Sequence, residues 1–308
     1  MDTLSEVTNE VAKKQRTPTQ EVIRHLFSHS SGRAGAIILG ILILVAIFAP
    51  WIAPYDPTQL LKDQKRRDTP CIHILGCPAN EQEHIFGIDG NSRDLFSRVI
   101  YGSRLSLQVG ILTMGFAILI GTLIGAVAGF TGGALDNILM RTMDVLMAFP
   151  SLLLAIAIVS VLGTGLINAM LAIGIVSIPR FARLVRSTVL SVKELEFVQA
   201  SRALGASPWH ILFNRILPNA VTPLIVQGTL GIATAILDAA ALSFLGLGAE
   251  PPRPEWGLMM GEEKNSIFSA PHLVIFPGIA IMLTVLGFNL LGDGLRDALD
   301  PRLTRSSK

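Results

Sequence analysis

Long runs without a single Asp, Glu, Lys or Arg alternate with short charged segments along this chain. The runs cover residues 105–135, 145–179, 216–237 and 265–292. A helix crosses a hydrocarbon core of about 30 Å with about 20 apolar residues. The first run therefore holds one helix. The run 145–179 is too long for one and is interrupted by Gly163-Thr164-Gly165, so it predicts a helical hairpin. A shorter apolar stretch at 37–53 adds a first span. Six spans result, at about 36–53, 105–130, 146–163, 166–185, 219–247 and 271–292. The expected fold class is an all-α integral membrane protein. Its segments are an N-terminal part at 1–34, an anchor and loop at 35–104, a five-helix core at 105–295 and a tail at 296–308.

Composition agrees with the pattern. Only 16% of the 308 residues are charged and the mean hydropathy is +0.54, against about 25% charged in a soluble domain. The first span ends in APWIAP, with prolines where a small-residue cleavage site would sit, so a retained anchor is expected rather than a cleaved signal peptide. Lys and Arg placement sets the orientation. With both termini inside, the inner segments hold 16 of these residues and the outer segments nine. Both termini and the insert at 196–220 are thus expected on the cytoplasmic face. The net charge of +2 carries no message about nucleic acid, since the basic residues act as topology signals.

That insert, EFVQASRALGASPWHILFNRILPNA, is polar and helix-forming although apolar runs flank it. Ser207-Pro208 is a helix start, with Ser as N-cap and Pro at the first helical position. Trp209, Leu212, Phe213 and Ile216 then recur at helical spacing as one apolar face. A helical segment at 192–204 precedes them. Gly205-Ala206 separates the two, and Gly205 suits a left-handed C-cap or a close approach by another backbone. A helix–turn–helix elbow follows. Its apolar face has three readings: docking onto a partner, capping its own bundle, or lying on the membrane surface.

Here the residues resemble a known family. Gln199-Ala200-Ser201, then Gly205 after three intervening residues, and Arg215-Ile216-Leu217-Pro218 resemble the EAA motif of ABC-importer permeases. Gln199 replaces the usual Glu, and Arg215 stands where an apolar residue is usual. Four further blocks resemble the second permease subunit of dipeptide, oligopeptide and nickel importers. They are FAPWIAPYDP (48–57), IFGIDGNSRDLFSRVIYGSRLSLQVG (85–110), LSFLGLGAEPPRPEWG (242–257) and FNLLGDGLRDALDPRL (288–303). Ile88 and Ser92 depart from the usual Thr and Gly. The resemblance implies an inner-membrane subunit that pairs with a paralogous permease, two ABC ATPase subunits and an extracytoplasmic substrate-binding protein. It also implies that Gln199, Ala200, Ser201, Gly205, Ala206, Trp209, Leu212 and Phe213 form the coupling loop docked on an ATPase. ATP and Mg would sit on those partners. The chain itself has no GxxxxGK[ST] phosphate loop, no HExxH and no nucleophile–base pair, so a non-catalytic subunit is expected.

Other residues allow more than one role. Gly121, Gly125 and Gly129 are spaced for close helix packing, either with a related subunit or within the chain. Asp238 is the only ionisable residue deep in a predicted span; it lines a pathway or is hydrogen-bonded between helices. Cys71 and Cys77 form a disulfide, stay free, or join His73 and His84 at a metal. The segments 87–93 and 250–257 either receive a binding protein or cap the outer end locally. Val22, Ile23, Leu26 and Phe27 allow a surface helix. The rival function is a self-contained secondary transporter, which internal repeats and several buried ion ligands would mark. Neither is visible here.

Overall fold

The computed structural model describes residues 24–62, 64–78 and 82–299. Among them the chain is helical, with isolated β-bridges at Cys71–His84 and Ile88–Asp94. Helix α1 spans Ser30–Ile52, α2 Leu95–Thr131, α3 Gly133–Met147, α4 Ser151–Leu162 and α5 Leu166–Val192. The elbow follows as α6, Glu196–Ala203, and α7, Pro208–Ile211. Then come α8, Val221–Phe244, α9, Trp256–Glu263, and α10, His272–Leu299.

Five stretches are long and apolar enough to cross a membrane, and a sixth if α3 and α4 count as one bent span. This pair corrects the expected straight span at 146–163. The chain turns by 95° between α3 and α4. Pro150 lacks an N–H and pushes its predecessor out of the helical region, so the helix must stop there. What remains, α4, has 12 residues and is only about 18 Å long. The segment at 192–204 is also broken, at 193–195, before α6 begins.

Helix α2 has 37 residues, about 55 Å, and so reaches beyond an apolar core at its ends. Its start packs on α9 through Trp256, whose indole N–H donates to the Val99 carbonyl at 3.0 Å. Its last turns pack on the end of α5, where Lys193 donates to the Gly129 carbonyl at 3.2 Å. The loop 53–94, the turn at 163–165 and the segment 245–271 gather at the first end; Gly165 N–H donates to Leu247 O there. The elbow and the described ends of the chain gather at the other, where Gly32 of α1 meets Gly294 of α10.

Close helix contact explains the glycine series. A Cβ on Gly121 would lie 2.6 Å from Phe181 Cβ, one on Gly125 3.0 Å from the Arg186 amide, and one on Gly129 2.9 Å from Val189 Cβ. All three neighbours belong to α5 of the same chain, so these positions are filled by packing inside the subunit. Helix α1 shows a different device. Pro50 has no N–H for the Ala46 carbonyl, and a polar group left bare in lipid is costly. Arg104 of α2 donates to that carbonyl and to Ile47 O.

Leu26 packs beneath Gly32 and Gly294; Val22 and Ile23 of the expected surface helix lie outside the described residues. The tail is helical to Leu299, and residues 300–308 also lie outside.

The glycine packing gives a paired test. Gly125→Leu should cost about 1–3 kcal/mol by overpacking the α2–α5 contact. Gly115→Leu on the same helix should be near neutral, because nothing lies within 4 Å of its would-be Cβ. Thermal unfolding of the detergent-solubilised protein measures both, and equal effects would refute this packing.

Candidate functional site

The elbow is built by local rules. Ser207 accepts a hydrogen bond from His210 N–H at 3.3 Å as the N-cap of α7, with Pro208 in the first turn. Gly205 has φ +78°, which a side chain would strain. It closes α6 in a Schellman arrangement: Ala206 N–H donates to Ser201 O at 3.1 Å and Gly205 N–H to Arg202 O at 2.9 Å. Among the described residues nothing beyond its chain neighbours lies within 4 Å of its would-be Cβ, so that side is open. After α7 the helix widens into a π-turn at Leu212–Ile216, which ends two residues before Pro218.

The expected single apolar face divides in two. Leu212 is buried, together with Ile211, Ile216 and Val198, against Val185, Val189 and Val192 of α5 and Ala126 of α2. This corrects its assignment to an outward face. Trp209, Leu212, Phe213 and Ile216 span about 100° of arc, wide enough for one side to anchor the elbow while the other stays free. Trp209 is 66% exposed and Phe213 50%, their rings stacked 6.0 Å apart. Leu204, at the turn, is 88% exposed. Gln199 and Ala200 are exposed on α6; Gln199 donates to Glu194 O at 3.0 Å, and Ser201 to Phe197 O at 2.8 Å.

Asp238 lies six residues before the end of α8, about 9 Å from it. It lines a recess of about 240 Å³ between α2, α5, α8 and the bend between α3 and α4. Arg180 of α5 lines the same recess. Periodicity did not bring these two together; the signal was a charge at the edge of the run 145–179, about three helical turns from the nearer end of α5.

Charges missed by motif reading form a buried network at the opposite end from the elbow. Arg93 donates to Asp89 at 2.6 Å and to Glu262 at 2.9 Å, and Arg67 donates to Glu263 at 2.9 Å. Arg98, fully buried, donates to Pro57 O at 3.0 Å and Pro252 O at 3.1 Å. Glu255 accepts from Gly257 N–H and Leu258 N–H at the start of α9. The segment 87–93 is thereby tied to Glu262 and Glu263 of α9, Arg98 links it to the Pro252 carbonyl, and the exposed part of EPPRPEWG is the tip at 250–253. Interleaved opposite charges at 89–98 and 262–264 were the available sign. Cys71 and Cys77 are joined as a disulfide with Cα atoms 5.3 Å apart, and His84 is bonded instead to Asp94 at 2.8 Å.

A bundle of membrane-length helices with one bent half-span, a polar elbow at one end and a charge-locked cap at the other defines the membrane core of a transporter. The chain belongs to the family of binding-protein-dependent transport system inner membrane components, permease subunits of ABC importers, whose model matches residues 121–305. Residues 17–70 match the N-terminal transmembrane domain of oligopeptide transport permease C. The dipeptide transport system permease protein DppC of Alkalihalophilus pseudofirmus is 49% identical over 93% of this chain and 91% of its own. The glutathione transport system permease protein GsiD of Pectobacterium atrosepticum is 45% identical over 94% and 93%. A chain of the MetNI methionine ABC transporter, solved in inward-facing conformations, shares the fold with a TM-score of 0.54 at 19% identity. It covers 66% of this chain and 97% of its own.

Burial raises the Glu255 carboxyl above its ordinary 4.5, opposed by the hydrogen bonds from Leu258 and Gly257. A raised folded-state value means the native protein holds this proton to higher pH than the unfolded chain does. The resulting stability is fully present below 4.5 and is lost as pH rises through the raised value. Glu255→Gln should therefore flatten the fall in unfolding temperature on moving from acid to neutral pH. Superimposable pH profiles for the two proteins would contradict this.

Proposed function

We propose that the chain is the second permease subunit of an ATP-driven importer of peptides or a closely related small solute such as glutathione. It forms one half of the translocation pathway and pairs with a paralogous permease. An extracytoplasmic binding protein delivers cargo at the end that carries the charge network. Two ATPase subunits, holding ATP and Mg, engage the elbow on the cytoplasmic side, where both termini also lie.

The exposed Trp209–Phe213 stack beside the open turn at Gly205 carries this reading. Leu212 and Ile216 fix the elbow to α5 and α2, so force applied at Trp209 and Phe213 reaches the spans directly. Gln199 and Arg215 remain out of the family's usual pattern. Both are exposed, so neither substitution disturbs the elbow's own packing. Cargo type rests on the relatives' peptide and glutathione systems. Asp238 is assigned to the pathway because it faces the recess rather than a helix–helix contact.

Replacing both exposed rings, as Trp209→Ala with Phe213→Ala, should leave the subunit folded in the membrane while its ATPase no longer co-purifies. Uptake of dipeptide should fall by at least about tenfold, as expected when aromatic anchors of an interface are removed. Full retention of the ATPase by the double variant would exclude the elbow as the docking element.

A further inference from the structure

Helix α5 carries three arginines in its second half, and two of them are neutralised inside the chain. Arg183 donates to Asp144 at 2.6 Å, and Arg186 holds Asp136 through two bonds of 2.5 and 2.6 Å. Arg180, one turn nearer the middle of the span, has no hydrogen bond or ion pair among the described residues. Asp238, across the recess on α8, has none either, and the two do not pair with each other. Their hydroxyl neighbours do not compensate them. Ser177 donates to Ile173 O at 2.8 Å and Thr234 to Leu230 O at 3.4 Å, each within its own helix.

Unpaired charges in a membrane span are costly and persist where they meet water, a partner or a ligand. The recess offers one cation and one anion on neighbouring helices, with Met147 and Phe149 as exposed apolar wall. A thioether is flexible and accommodates varied apolar groups. A singly charged ligand would leave one of the two protein charges bare. A ligand with a free ammonium and a free carboxylate satisfies both at once.

We infer that this recess is a transit site for zwitterions in the permease itself, with Asp238 receiving the ammonium and Arg180 the carboxylate of a small peptide. The inference rests on the peptide-importer reading and adds to it a selecting step downstream of the binding protein. About 240 Å³ is slightly below the 300–1,000 Å³ of ordinary ligand pockets, which suits a half-site closed on its open side by the other permease. The side chains themselves would tolerate varied residues, since only the two charged ends are recognised.

The test uses the complete importer, with binding protein, in proteoliposomes. Labelled dialanine is the probe, and dialanine blocked at both ends by acetyl and amide groups is its control. Asp238→Asn and Arg180→Gln should each lower dialanine uptake by at least about tenfold, a loss well within what a built polar site shows toward a mismatched ligand. Asp238→Glu should retain most of it. Binding-protein-stimulated ATP hydrolysis should persist in all three and reports correct assembly. Independently of folding effects in those variants, Thr234→Cys places a thiol in the recess, and Cys71 and Cys77 are already paired. Dialanine should protect this thiol from a water-soluble thiol reagent, and the blocked peptide should not. Unchanged uptake in both charge variants, or protection that is absent or equal for the blocked peptide, would overturn the site while leaving the importer reading intact. A second membrane subunit neutralising both charges would give that result. If the unmodified importer takes up neither dialanine nor glutathione, the peptide reading fails and this site's ligand class fails with it.

Discussion

Gly121, Gly125 and Gly129 let α2 lie directly on α5, and the rest of the bundle is arranged around that contact. In lipid, apolar side chains gain little by leaving one helix surface for another, so close backbone approach has to supply the attraction. A glycine in each of three consecutive turns supplies it here. The contact also has a directional consequence. Helix α5 ends at the elbow and α2 begins at the charge-locked cap, so the two ends of the molecule are joined through one packed pair of helices. The valines that hold the elbow, Val185, Val189 and Val192, continue the same face of α5.

The spans themselves were legible because charge-free runs are a strong, local signal. Five of the six fall close to where the alternation of apolar and polar segments puts them. The exception, 146–163, failed at Pro150. An apolar run records that a segment avoids water, but it does not record a 95° turn within that segment. The elbow's ends were also legible, since Ser207-Pro208 and Gly205 are backbone signals that act within a few residues. Its burial was not. Whether Leu212 or Phe213 faces inward depends on the valines of α5 and on the π-turn before Pro218, neither of which shows in the elbow's own periodicity.

Charge placement was the least legible layer. Asp89, Arg93, Arg98, Glu262 and Glu263 are separated by up to 174 residues in sequence order, yet they close on one another at the cap. Such pairings depend on which loops share an end of the bundle, and that follows from the topology of the spans. Buried ion pairs of this kind are costly to assemble and more costly to break, so they fix geometry rather than add stability. The same reasoning applies to α5, where two arginines are paired and one is left facing a recess. The four sequence blocks that resemble peptide-importer permeases include many of these residues, among them Asp89, Arg93, Arg98 and Glu255. Their resemblance is therefore concentrated where the cap is locked together.

On the proposed function, this subunit moves cargo only under an ATPase acting on its elbow. Reconstitution tests it most directly. The two permease subunits, placed in liposomes with the binding protein and a labelled dipeptide, should accumulate nothing under an imposed proton or sodium gradient. Adding the ATPase subunits with ATP and Mg should start accumulation, and a non-hydrolysable ATP analogue should not. Gradient-driven accumulation by the permease subunits alone would contradict the account and identify a self-contained secondary transporter instead.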